Sequence, residues 1–212
     1  MKKRIYKSGI LILGLCWIVG AQAQEFTEVK GEALQKMLLE ITRVSEQIKT
    51  LECRFKQRKT ISVLAETAEA EGMMYYQKAD RMRWEYLKPD AYYFVMNGNK
   101  SVMKKNGETD RGGSARIFGE IAKMIMGSIS GKKLVDEERF VSEYSGNKEI
   151  FRISLQPKNR RMLQMISLLV MEFDIKEHAI RSVEMWQGED VTRIEFMEKK
   201  VNGALTEGLF SL

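Results

Sequence analysis

The chain has 212 residues, with 35 Lys and Arg against 29 Asp and Glu, one histidine and two cysteines. That length suffices for one domain with its own core. A lone histidine, His178, leaves little room for imidazole chemistry, and two cysteines build no disulfide framework.

Residues 1–23 read as an export signal, cleaved to leave a single domain over 24–212. Lys2, Lys3, Arg4 and Lys7 form a basic head. Residues 10–19 are an apolar run too short to span a bilayer comfortably, and Ala21-Gln22-Ala23 gives the small-x-small pattern of a cleavage site. The large Leu15 before Cys16 argues against lipoprotein processing. An exported, soluble mature chain is expected, since no later stretch reaches the ~18 apolar residues of a membrane span. The leader carries four basic residues and no acidic one, so its loss takes the formal charge from +6 to +2 and weakens any nucleic-acid reading. Cys53 is then left without a partner.

Next, Leu34, Met37, Leu38, Ile41, Val44, Ile48 and Leu51 recur at spacings of three and four, which predicts an amphipathic helix. From Glu52 the period shortens to two in "CRFKQ", "EGMMYYQ", "RMRWEYLKP" and "AYYFVMNGNKSVMKK", with a hairpin signal at Asn97-Gly98. Along "RMRWEYLKP", Met82, Trp84 and Tyr86 share one face while Arg81, Arg83 and Glu85 share the other, and Pro89 ends the ladder because it has no N–H to donate. In "MMYYQ" both faces are apolar, as in a strand covered on both sides.

"RGGSARIFGEIAKMIMGSIS" interrupts the strands. Ser114 is placed to cap a helix in which Ile117, Phe118, Ile121, Met124, Ile125 and Ile129 follow helical spacing before Gly131. Glycines at its ends allow a movable lid; permanent packing in a concave sheet is the plainer alternative. Strands are predicted again at "ERFVSEYS", "EIFRISL", "LVMEFDI", "AIRSVEMW", "VTRIEFMEKK" and "ALTEGLFSL". Turns fall at Gly146-Asn147, Gly188 and Asn202-Gly203, and residues 157–164 read as a loop with a helical turn. The order predicts a mainly β, α+β domain in which one antiparallel sheet curls around helices.

Catalytic patterns are missing: the sequence holds no G-x-S-x-G, phosphate loop, H-E-x-x-H or C-x-x-C pair, and His178 in "KEHAI" reads as a surface turn residue. No spacing singles out two carboxylates, and Arg83 with Glu85, two apart on one face of a strand, reads as an ordinary surface ion pair. No enzyme activity, metal or cofactor is expected. Methionine is abundant, with Met73, Met74, Met82, Met96, Met103, Met124 and Met126 near the central strands and inserted helix. Such residues either fill a loosely specified core or line an adaptable apolar surface.

The ordered set "LECRFKQRKT" then "EGMMYYQKADRMRWEYLKPDAYYFVMNGNKSVMKKN" resembles the LolA family of periplasmic outer-membrane lipoprotein carriers, through Phe55, Gln57, Gly72, Trp84, Pro89, Gly98 and Lys100. The closing stretch to Phe210 is similar as well. The resemblance implies an incomplete, strongly curved antiparallel β-barrel with helices forming a lid or plug over its concave face, and a hydrophobic cavity for acyl chains. Its cargo would be acylated lipoproteins, received from an inner-membrane ABC-type lipoprotein-releasing transporter and passed to an outer-membrane acceptor by a monomeric carrier. On this reading Met82, Trp84, Tyr86, Tyr93 and Val95 from the sheet and Ile117, Phe118, Ile121, Met124 and Ile125 from the lid line the cavity. Where studied members have an Arg-Pro pair whose arginine holds the lid, this chain has Lys78-Ala79, which makes Lys78 the latch candidate. A lipopeptide- or glycolipid-binding envelope sensor on the same fold is the alternative, and a carboxylate-dependent envelope hydrolase a more distant one.

Overall fold

The computed structural model of the chain describes residues 25–78, 80–130 and 134–212, without the side chains of 113–118, 128 and 161. The expected leader and Ala79 lie outside the described residues. Short β1 (Thr27–Glu28) precedes α1 (Gly31–Glu46). A first run of strands follows: β2 (Thr50–Ile61), β3 (Glu66–Gln77), β4 (Arg81–Lys88), β5 (Tyr92–Asn97), β6 (Lys100–Lys105) and β7 (Glu108–Asp110). Helix α2 (Gly113–Ser130) leads to a second run of β8 (Phe140–Gly146), β9 (Ile150–Pro157), the one-turn α3 (Arg160–Leu163), β10 (Leu168–Asp174), β11 (Ile180–Gln187) and β12 (Asp190–Val201).

All twelve strands form one open, curved antiparallel sheet in the order β1-β8-β9-β10-β11-β12-β2-β3-β4-β5-β6-β7. The long β2 sits near the middle, paired with β12 on one side and β3 on the other. Each run therefore works outward from, or back toward, the centre. Helices α1 and α2 contact each other, and α2 lies against β5, β6, β7 and β11. The core fills the space between: Phe55, Met74, Trp84, Phe94, Phe151 and Phe173 are buried from strands on both halves, together with Ile125 and Ile129 from α2.

Three sequence expectations shift here. The helix predicted to run through Leu51 stops at Glu46, because Ile48 and Leu51, three apart, fit either period and Leu51 is taken as the first inward residue of β2, followed by Cys53 and Phe55. Helix α2 begins at Gly113, so Ser114 falls inside it and not at its cap. "ALTEGLFSL" forms no strand. Both edges of β12 are already paired, and Phe210 packs instead with Val95 and Val102 on the convex face of the sheet, with Leu205, Leu209, Tyr75 and Tyr93 around them. The Asn97-Gly98 hairpin is present; its two-residue loop is Gly98-Asn99, with Gly98 at φ +60°, a loop position that suits glycine.

The other half of the convex face carries charge. Glu172, among the apolar residues of β10 that precede Asp174, has a side chain only 5% exposed. Its carboxylate accepts from Arg152 Nη2 at 2.7 Å, Arg193 Nη2 at 2.8 Å and Ser182 Oγ at 2.8 Å, partners supplied by β9, β12 and β11. Burial alone would raise its pKa, but these donors outweigh burial and hold it below the usual value. Four strands are thereby fixed in register by one side chain. We predict that Glu172→Gln loses about 3 kcal/mol of stability at neutral pH in urea denaturation, since two arginines lose their charge partner. With the folded pKa depressed, this contribution is complete above the unfolded carboxylate pKa of about 4 and fades as pH falls through the folded value. A wild-type advantage that is absent at neutral pH, or that persists undiminished in strong acid, contradicts this role.

Candidate functional site

The concave face is built by alternation. Along β4, Met82, Trp84 and Tyr86 point inward, and the register pairs them with Met96, Phe94 and Tyr92 of β5. From β2 come Phe55, Gln57 and Lys59, and from β12 Phe196, Ile194 and Thr192, with Lys59 opposite Thr192 and Phe55 opposite Phe196. The aromatic rings lock together: Phe55 lies 4.6 Å from Trp84 and edge-on to Tyr86 at 5.2 Å, Tyr86 stacks on Tyr92 at 4.3 Å, and Phe196 meets Trp84 edge-on at 6.0 Å. Gly72 of β3 makes this possible, since a Cβ there would collide with the Phe55 ring, 2.6 Å away, and with the Glu85 carbonyl.

Between this floor and α2 lies a cavity of about 370 Å³. Trp84, Tyr86, Tyr92 and Phe94 form its aromatic wall; Ile121, Ala122 and Ile125 of α2 its roof; Met185, Ile194, Thr192, Gln57 and Lys59 its far side. The larger clefts near Lys148 and near Glu207 are more open, the first between α1, β1 and the β8–β9 turn and the second along the segment after β12. A concave, mostly apolar pocket with a few polar groups is the usual form of a small-ligand site. The Tyr86 hydroxyl donates to Gln57 Oε1 at 2.8 Å. Burial, helped by Tyr92, pushes the Tyr86 phenol well above its ordinary pKa and keeps it neutral. The Trp84 indole, whose buried N–H lies beside the Tyr86 hydroxyl, offsets this slightly.

The structure brings Trp84, Tyr86, Ile121 and Ile125 to one cavity. Met82 is buried on the same face without lining it, and Met124 borders a separate small cleft of about 150 Å³ on the other flank of α2. The side chains of Ile117 and Phe118 lie outside the described residues. Tyr93 and Val95 are misassigned by alternation: they lie on the convex face, where the Arg83 guanidinium sits 3.7 Å from the Tyr93 ring and Val95 packs with Phe210. Every residue from Tyr92 to Met96 is apolar, so the phase of β5 is not written in its own sequence; only the pairing of Trp84 with Phe94 sets it. The cavity also takes residues that the sequence does not single out: Tyr92, Phe94, Ala122, Met185, Gln57, Lys59, Thr192 and Ile194. Counting in twos from Phe55 and from Phe196 reaches the last four.

Lys78 reaches a backbone carbonyl of α1 and not of the lid helix α2. Its Nζ donates to Glu46 O at 2.8 Å, the end of α1, while its own N–H bonds Lys49 O at 2.7 Å. A cation there complements the helix C-terminus, so Lys78 fastens α1, which in turn touches α2. His178 sits half-buried in a turn at φ 52°. Arg83 and Glu85, 3.1 Å apart, are less exposed than an ordinary surface pair. The methionines mostly fill the core, Met74, Met82, Met96 and Met126 being buried, and among the described residues Met185 is the one that lines the cavity. Burial pushes the Cys53 thiol up to about 12, so it stays protonated.

The family model described as outer membrane lipoprotein carrier protein LolA matches residues 46–212, which include the cavity's sheet and helix alike. The chain belongs to the LolA family. No protein of curated function matches its sequence significantly. Among solved structures it is similar to a LolA superfamily protein from Nitrosomonas europaea, at 9% identity and TM-score 0.47 over 84% of this chain and 97% of that one. It is also similar to the lipoprotein LppX of Mycobacterium tuberculosis, at 9% identity and TM-score 0.41 over 81% and 98%. MucB in its complex with MucA gives 11% identity and TM-score 0.44 over 84% and 59%.

A charge facing the cavity should destroy its use as an apolar site. Ile121→Glu is expected to weaken binding of an environment-sensitive apolar dye at least about tenfold, as a carboxylate loses solvation there. Val141→Glu, at an exposed position on β8, should leave binding unchanged. Equal loss in both variants, or none in Ile121→Glu, would separate dye binding from this cavity.

Proposed function

We propose that the protein is a periplasmic carrier that holds acyl chains of lipoproteins in the cavity beneath α2 and moves them from the inner to the outer membrane. The observation that carries this reading is a partly open aromatic and aliphatic cavity, roofed by a helix, within a member of the LolA family. The chemistry needed is reversible burial. No bond is made or broken, and the neutral Tyr86 fits a site without a nucleophile. The basic, apolar leader fits export, an inner-membrane ABC-type transporter would supply cargo, and an outer-membrane acceptor would receive it.

Each buried methylene is worth about 0.8 kcal/mol, so several fully enclosed chains would bind too tightly to leave. A cavity of modest size and a helical roof favour partial enclosure and release. The test is transfer. Purified protein mixed with membranes bearing a labelled lipoprotein should release it as a soluble complex and deliver it to outer-membrane vesicles, whereas a form of the cargo lacking its acyl chains should not be taken up. Binding without delivery would instead support an envelope sensor, and indifference to acylation would remove the cavity from the account.

A further inference from the structure

The cavity is chemically lopsided in a way that acyl binding alone does not use. Its walls are mainly apolar, and its most polar side is where β2 and β12 meet: there Gln57, Lys59 and Thr192 cluster, Lys59 and Thr192 as direct cross-strand partners. The free hydrogen-bonding capacity at the cavity is dominated by donors. Lys59 is half-buried, forms no ion pair among the described residues, and offers three donors and no acceptor. The Gln57 carbonyl oxygen is engaged by Tyr86, which leaves its amide N–H groups. Trp84 adds a buried Nε1–H beside the Tyr86 hydroxyl. The lining contains one positive charge and neither Asp nor Glu.

A pocket of aliphatic and aromatic walls whose polar end is a cation surrounded by donors complements an acyl chain that ends in an anion. At about 370 Å³ it lies near the small end of ligand cavities, the size for one chain. We propose that the cavity selects single-chain anionic amphiphiles, with Lys59 pairing the carboxylate or phosphate head and the chain running beneath α2 toward Phe94 and Ile125. This rests on the acyl-binding reading above and adds a head-group preference to it. Free fatty acids and anionic lysophospholipids share this chemistry.

The test measures binding of four amphiphiles to the full-length mature protein below their micellar concentrations: laurate, lauroyl lysophosphatidate, methyl laurate and dodecyltrimethylammonium. Laurate and lysophosphatidate should bind about tenfold more tightly than methyl laurate, the worth of one charge-assisted hydrogen bond, and the cationic chain should bind most weakly. Whichever anion binds tighter identifies the source. In Lys59→Met the advantage of the anions should collapse toward unity, and in Lys59→Arg it should survive, which separates lost charge from damaged fold. Equal binding of laurate and methyl laurate by the wild type, or an undiminished preference in Lys59→Met, overturns the proposal while leaving chain binding intact. Failure of all four to bind overturns both the proposal and the acyl-binding reading.

Discussion

Helix α2 has to connect the two opposite margins of a single sheet. The first run of strands ends with β7 at one edge, the second begins with β8 beside β1 at the other, and the connection crosses the concave side. Eighteen helical residues cover about 27 Å, enough to roof much of that hollow. This one constraint makes the concave face an interior. It explains why the inward residues of strands far apart in sequence, from Phe55 to Phe173 and Ile194, are apolar together, and why a cavity arises where α2 and the floor do not fully meet.

The two faces of the sheet are stabilised by different physics. Inside, burial of aromatic and aliphatic side chains dominates, and it adapts to what occupies the hollow because dispersion and hydrophobic contacts are not directional. Outside, Glu172 with Arg152, Arg193 and Ser182 fixes β9 to β12 by directional hydrogen bonds, and Phe210 seals Val95 and Val102 on the first half. A floor whose register is held from behind can lose its helical roof locally without losing its shape. Lys78 and Asn202 contribute at the end of α1, Lys78 through Glu46 O and Asn202 by accepting from Lys49 N at 2.7 Å and donating to Gln47 O at 3.1 Å.

Much of the architecture is legible in the sequence because it rests on local periods. The two-residue alternation of "RMRWEYLKP" gives the orientation of Trp84, and the glycine hairpin and the spacing of Ile121, Ile125 and Ile129 place the next elements. What is not legible depends on partners distant in sequence. Tyr93 and Val95 cannot be assigned a face when all their neighbours are apolar, and Leu205 to Phe210 look like a strand until both edges of β12 are seen to be taken. Glu172 reads as an outlier in "LVMEFDI", since Arg152 and Arg193 lie about twenty positions away on either side. The polar end of the cavity was overlooked for a similar reason. Lys59 looks like one more solvated lysine until β12 places Thr192 across from it and Trp84 is found behind.

A cavity of about 370 Å³ is too small for the several chains of a lipoprotein anchor, so the central claim requires α2 to rise from the sheet when cargo enters. Gly119 of α2 faces Ser101 of β6, with its Cβ position 4.0 Å from Ser101 Cβ, a separation suited to a disulfide. Introducing Ser101→Cys and Gly119→Cys together therefore offers a reversible lock, with Cys53 too buried and too weakly acidic to interfere. The decisive measurement is the rate of acylated-lipoprotein uptake by this double variant with and without reductant. The account predicts uptake blocked when the bond is formed and restored when it is reduced; equal uptake in both states would contradict it.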